Sequence, residues 1–163
     1  MSQWTHVIGV VQLHPVTQEE VENAFGIPKT WHDMWHGTER FFRHANSAVK
    51  IPAGSEGSVV WHLQDTTEKS DEDDAWHVLG EGSIISIEGD LRDFGETDED
   101  VQEIAEWFID GCKKLNPRWA TLSIEVEFGN SYMIDVMLNR YIIHKVDRNQ
   151  TLTITDLTTH ERK

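Results

Sequence analysis

Two histidines four residues apart, in His32-Asp33-Met34-Trp35-His36, come closest in type and spacing to a reactive constellation. On a helix they share one face, where two imidazole nitrogens reach a single metal ion. Such a site would serve a metal-dependent hydrolase acting on a phosphate or peptide bond. Asp33, standing between them, would have to act as general base with a reach one methylene shorter than glutamate's. No third ligand stands at a diagnostic spacing, and His44 is the nearest candidate. A plainer reading accounts for the same residues: Trp31 and Trp35 pack inward and both imidazoles face solvent. The chain is therefore assigned no metal, no other cofactor and no catalytic residue. Cys112 is the single cysteine, which leaves neither an intrachain disulfide nor a thiolate pair for structural zinc. It falls on the apolar face of a helix, and the Gly-Ser-Glu-Gly-Ser run at 54–58 lacks the spacing of a nucleophile elbow. Neither a Walker loop nor a GxGxxG run occurs, so a nucleotide cradle has no support.

The second constellation is acidic. Residues 65–110 hold 17 acidic side chains against Lys69 and Arg92 alone, while the remaining chain balances 12 acids with 12 bases. The formal charge of −15 thus belongs to one contiguous stretch. Direct nucleic-acid binding by that stretch is disfavoured, because affinity for phosphates comes from Lys and Arg displacing counterions. A basic protein surface is the natural match. The candidate partner-binding residues are Asp71, Glu72, Asp73 and Asp74, then Glu99, Asp100, Glu103 and Glu106, with Trp107 as an exposed apolar anchor among the acids. Two structural alternatives stand beside this reading. The acids would form a solvated loop and a polar helix face that keep the chain soluble, and Trp107 would pack beneath the 93–97 loop.

These residues need elements to position them. Trp4 to Leu13 places Val7 and Val11 on one face and Ile8 and Val10 on the other, the pattern of a central strand apolar on both sides. Thr17 followed by Glu20 is a capping box opening a helix through Phe25, which Gly26 and Pro28 close. A second helical piece is expected over Thr30 to Phe42, a turn or flexible loop over 54–57, and a strand over Ser58 to Gln64. The acidic tract 65–74 loops out. Trp76 to Glu88 returns as a long strand, bent at Gly80 and Gly82 and ended by Gly89 and Asp90. Asp98 to Leu115 is a helix, with Val101, Ile104, Ala105, Phe108, Cys112 and Leu115 on one face, acids at its start, and Lys113 and Lys114 at its end. The alternation from Leu122 to Phe128 is a strand with one wet face. A three-residue loop, 129–131, then pairs Phe128 with Tyr132, Val126 with Ile134, Ile124 with Val136 and Leu122 with Leu138. That register makes Glu125 and Asp135 cross-strand neighbours, an unfavourable like-charge pair met by solvent, a cation or a basic partner. Tyr141 to Val146 and Thr151 to Leu157 add a last hairpin around 147–150.

The order strand, helix, strand, strand, helix, strand predicts an α+β fold, a ferredoxin-like split βαβ sandwich extended by C-terminal antiparallel strands, with residues 1–163 as one domain. No apolar run approaches the roughly 20 residues that cross a bilayer, and the opening MSQWTHVIGV lacks the basic start of a secretory signal. The expectation is a cytoplasmic protein that touches no membrane. Finally, WTHV at 4–7, GSEGS at 54–58, GDLRDF at 89–94 and IAEWF at 104–108 together resemble small uncharacterised acidic proteins encoded by bacteriophages, with matches spread over most of the chain. The resemblance implies a phage product acting in the host cytoplasm and brings no catalytic residues with it. It carries the expectation of a protein that binds and disables a host protein, in some cases by imitating the charge of DNA. The leading expectation is thus a non-enzymatic inhibitor of a bacterial defence or nucleic-acid-processing protein. The alternatives are the His32/His36 metal-dependent hydrolase and a phage structural or assembly protein whose strand edges drive homo-oligomers, a homodimer among them.

Overall fold

The structure, a computed structural model, describes residues 2–29, 41–65 and 82–158. Its elements are β1 (Trp4–Leu13), α1 (Gln18–Phe25), β2 (Phe41–Phe42), β3 (Ile51–Pro52), β4 (Val60–Asp65), β5 (Ser83–Arg92), α2 (Asp98–Leu115), β6 (Trp119–Val126), β7 (Ser131–Met137), β8 (Arg140–Val146) and β9 (Leu152–Asp156). The fold is α+β: a seven-stranded antiparallel sheet in the order β4-β5-β1-β6-β7-β8-β9, two helices, and a two-stranded ribbon of β2 and β3. No helix among the described residues is long and apolar enough to cross a membrane.

Local sequence sets both helices. At α1 the Thr17 hydroxyl accepts from the Glu20 N–H at 3.2 Å and the Glu20 carboxylate accepts from the Thr17 N–H at 2.7 Å. Thr97 and Asp100 repeat this capping box at α2, satisfying amides that a helix start leaves without partners. Lys113 and Lys114 sit in the last turn of α2, and Asn116 ends it in the left-handed conformation.

The two helices pack against each other over one face of the sheet. Val7, Val11, Ile85, Ile87, Leu122 and Ile124 form that face's floor, under Ile104, Phe108 and Cys112 of α2 and Phe25 of α1. Gly111 decides how closely the helices approach, since a Cβ there would lie 2.3 Å from the Phe25 ring. Among the described residues nothing covers the sheet's other face. Ile8 is 66% exposed on it, so β1 is central but buried on one side only, which corrects the two-sided burial expected from its apolar pattern.

Three further expectations are revised. Phe41 and Phe42 belong to β2, not to a helix end; residues 30–40 lie outside the described residues. β5 does not stop at Gly89-Asp90 but pairs with β1 through Arg92, and the expected beginning of that strand at 76–81 lies outside the described residues. The β6–β7 hairpin has a different register: Ile124 faces Tyr132, Leu122 faces Ile134 and Ala120 faces Val136, with Glu125 opposite Ser131. Phe128 is the cause. It turns the chain at φ 59° with its ring 64% exposed, instead of continuing the inward alternation of β6. Glu125 and Asp135 are therefore not neighbours. Asp135 accepts from the Thr121 hydroxyl at 3.1 Å and meets the His144 imidazole at 3.2 Å, and Glu125 lies beside His6 of β1.

Candidate partner-binding groove

The sheet is wider than the helix layer above it. α2 reaches over β7, whose Ile134 and Val136 are buried; beyond it β8 and β9 continue the sheet on the same side, and a cleft of about 620 Å³ opens between α2 and these strands. Its floor is Ile134, Ile143, Tyr132 and Tyr141 from the sheet, met by Ala105 and Ile109 of α2. These sheet residues share a face because side chains two apart along a strand point the same way. Thr153 and Thr155 of β9 form the far wall, and Glu106 and Asp110, exposed on the crest of α2, form the near one.

A polar clamp holds one end of the cleft. Asp98, the first residue of α2, accepts from the Tyr132 hydroxyl at 2.5 Å and meets the Lys145 ammonium at 2.8 Å. Tyr132 and Lys145 are register partners on β7 and β8, so the helix start is tied to both strands. The Lys145 ammonium and then the Tyr132 hydroxyl stabilise the carboxylate and hold Asp98 below the usual carboxylate range. Lys145 is raised in turn, chiefly by its bond to Asp98, while burial followed by that same carboxylate raises the Tyr132 phenol. Toward the other end the Lys113 ammonium stands 5.4 Å from the centre of the Tyr141 ring.

The residues singled out in the sequence divide sharply. Glu99 and Glu106 are exposed on α2, where a partner can reach them, and Glu103 is half-buried on the side toward α1. Asp100 is buried: its carboxylate is turned back to the Thr97 N–H by the capping box, so it is not surface charge. Trp107 is likewise corrected from exposed anchor to core residue. It is 6% exposed, its ring lies 5.2 Å from that of Phe25, and its indole N–H donates to the Phe25 carbonyl at 3.0 Å. Nor does it pack beneath the 93–97 loop, because its partner is the end of α1. Trp61 donates to the Gly26 carbonyl at 2.7 Å, so two tryptophans satisfy carbonyls where α1 ends. Asp71, Glu72, Asp73 and Asp74 lie outside the described residues, as do His32 and His36.

No chemistry converges elsewhere among the described residues. No group of three or more metal-ligating side chains occurs there, and His44 is occupied in accepting from the Asn46 N–H at 3.1 Å. Burial pushes the Cys112 thiol far up, so it does not supply a thiolate. The Gly54–Ser58 loop is held to β5: the Ser55 N–H donates to the Arg92 carbonyl at 2.9 Å and the Arg92 N–H to the Glu56 carbonyl at 3.0 Å. Gly57 fits only as glycine, at φ 78° with a would-be Cβ 1.9 Å from the Asp90 carbonyl oxygen.

Sequence reasoning missed Tyr132, Tyr141, Lys145 and the role of Asp98. The signal lay in the alternation Tyr132-Ile134-Val136 and Tyr141-Ile143-Lys145, which needed the correct register before the two rows could be placed side by side. No protein-family model, curated protein or solved structure matches the chain.

Proposed function

We propose that this chain is a non-enzymatic binding protein that engages a basic protein surface through the outer flank of α2 and the groove beside it. The observation that carries this reading is the apolar groove walled by Glu106 and Asp110, with Glu99 exposed on the same helix. Acidic side chains around an apolar floor supply steering and register, while the floor supplies contact area. The proposal extends to a phage inhibitor of a bacterial defence or nucleic-acid-processing protein, acting in the host cytoplasm, and to Asp71–Asp74 as a second acidic contact. It also extends to the finer fold. The order β4-β5-β1-β6, with α1 following β1 and α2 following β5, supports a ferredoxin-like split βαβ unit that β7 to β9 widen.

The test is affinity capture from bacterial lysate with stepwise salt elution, comparing wild type with a Glu99→Lys, Glu106→Lys, Asp110→Lys variant. A control carries Glu19→Lys, Glu88→Lys and Glu125→Lys, which gives the same net charge with the flank intact. The reading expects one basic host protein on wild type and control and none on the flank variant. Equal capture by all three would sink it.

A second reading, self-association, is favoured by the sheet face that no described residue covers, where Ile8, Met133, Met137 and Ile154 are exposed, and by β9, an edge strand exposed along its whole length. Light scattering at several concentrations tests it, and a monomer throughout would end it.

A further inference from the structure

We propose that the groove takes a basic amphipathic α-helix of the partner, laid alongside α2 as a third member of the helix layer. The inference rests on the binding reading above and specifies the occupant. Width is the first argument. Seven strands at about 4.8 Å span roughly 29 Å, and two helices about 10 Å in diameter cover roughly 20 Å of that. What is left beyond α2 is one helix wide.

The floor argues for a helix over a strand. It lies on the face of the sheet, away from the edge of β9, so an extended peptide placed there would set its backbone N–H and C=O groups against the half-buried Tyr132, Ile143 and Leu157 with nothing to pair them. A helix satisfies its backbone internally and offers an apolar stripe to the same floor. Charge fixes the partner's flank. Glu106 and Asp110 stand four apart on one ridge of α2, and among the described residues neither is in an ion pair. Of the two lysines that line the groove, Lys145 at one end is engaged by Asp98 and Lys113 at the other stands against the Tyr141 ring, away from the middle of the ridge. A helix with Lys or Arg on the side facing α2 meets this ridge as flanking charges meet across paired helices, and an acidic helix is repelled by it.

The chain supplies its own reporter, because its two tyrosines, Tyr132 and Tyr141, both line the groove. The experiment labels full-length protein with 3-fluorotyrosine and titrates it with an 18-residue Leu/Lys/Ala peptide whose leucines follow i, i+3, i+4, i+7 spacing. A scrambled peptide of the same composition and a Lys→Glu version serve as comparators. The expected result is that the patterned basic peptide binds, becomes helical by circular dichroism and moves both fluorine resonances. The Glu106→Lys, Asp110→Lys variant should bind it about tenfold more weakly, and the Lys→Glu peptide should not bind. Equal binding of the scrambled peptide would overturn the helix while leaving a basic partner standing. Binding that moves neither resonance, or that ignores the two reversals, would overturn the groove as its site. Equal binding of the acidic peptide would remove the charge argument, and with it the basis for a basic partner. Tyrosine resonances that shift with protein concentration alone would overturn the inference in favour of a second copy.

Discussion

Replacing Trp107 by Phe separates a core tryptophan from an interface tryptophan. The substitution keeps a ring against Phe25 but removes the indole N–H that donates to the Phe25 carbonyl at 3.0 Å. That carbonyl lies at the closed end of α1, and leaving it buried without its donor costs about 1–3 kcal/mol. Losing part of the bicyclic ring adds about 1 kcal/mol, a fraction of the roughly 3–5 kcal/mol expected for full truncation to alanine. The expected loss is therefore about 2–4 kcal/mol, or on the order of 5–15 °C in Tm for a chain of this length. Urea unfolding followed by far-ultraviolet circular dichroism measures it, with Trp119→Phe as the control. Trp119 is 38% exposed on the open sheet face, and its replacement should stay within about 0.5 kcal/mol. If Trp107→Phe also stays within that range while partner capture collapses, the indole faces solvent and the packing of α1 on α2 is wrong.

Other consequences can be checked on the same material. Leu138 and Asn139 form the two-residue β7–β8 turn with φ of 50° and 62°, so Leu138→Asn should stabilise the protein by about 0.5–1 kcal/mol in urea; a lower midpoint would contradict the turn. Asp98 is held below its ordinary value, so its contribution is present above the unfolded value near pH 3.9 and is lost as pH falls through the folded one. Because Asp98 is exposed, Asp98→Asn should cost less than about 1 kcal/mol at pH 7, and its stability curve should merge with wild type at acid pH; a gap that persists in acid would show that the clamp does not depend on charge. Cys112 should react with a thiol reagent only as fast as the core opens, and prompt labelling of folded protein would contradict its burial.

The features legible in the sequence were those written in adjacent residues. The Thr17–Glu20 capping box opens α1 and Gly26 closes it, as read, and α2 ends at Asn116; the second box, Thr97 with Asp100, is just as local but was not read from the sequence. Trp107 was misread because only one stripe of α2 was counted. The helix buries a second side against α1, and Gly111, one turn after Trp107 and pressed on Phe25, is the residue that marks it. The hairpin register failed on Phe128, an apolar residue in a conformation that its type rarely adopts. Gly89 reads as a strand end, yet it continues β5, because it leaves room for Val59, whose Cα lies 2.9 Å from where a Cβ would stand. The groove was hidden for another reason. It exists because β8 and β9 extend past α2, a relation between widths that no window of sequence contains.

The place of β1 in the sheet bears on the chain's synthesis. β1 is translated before its two partners, β5 at 83–92 and β6 at 119–126, and every backbone bond it makes in the sheet is to one of them. At about 5–20 residues per second, β5 follows it out of the ribosome after on the order of ten seconds, and β6 later still. For that interval Val7, Ile8, Val10 and Val11 have no sheet to join. A chaperone that binds short extended apolar segments has its window there, before the first long-range pairing closes it.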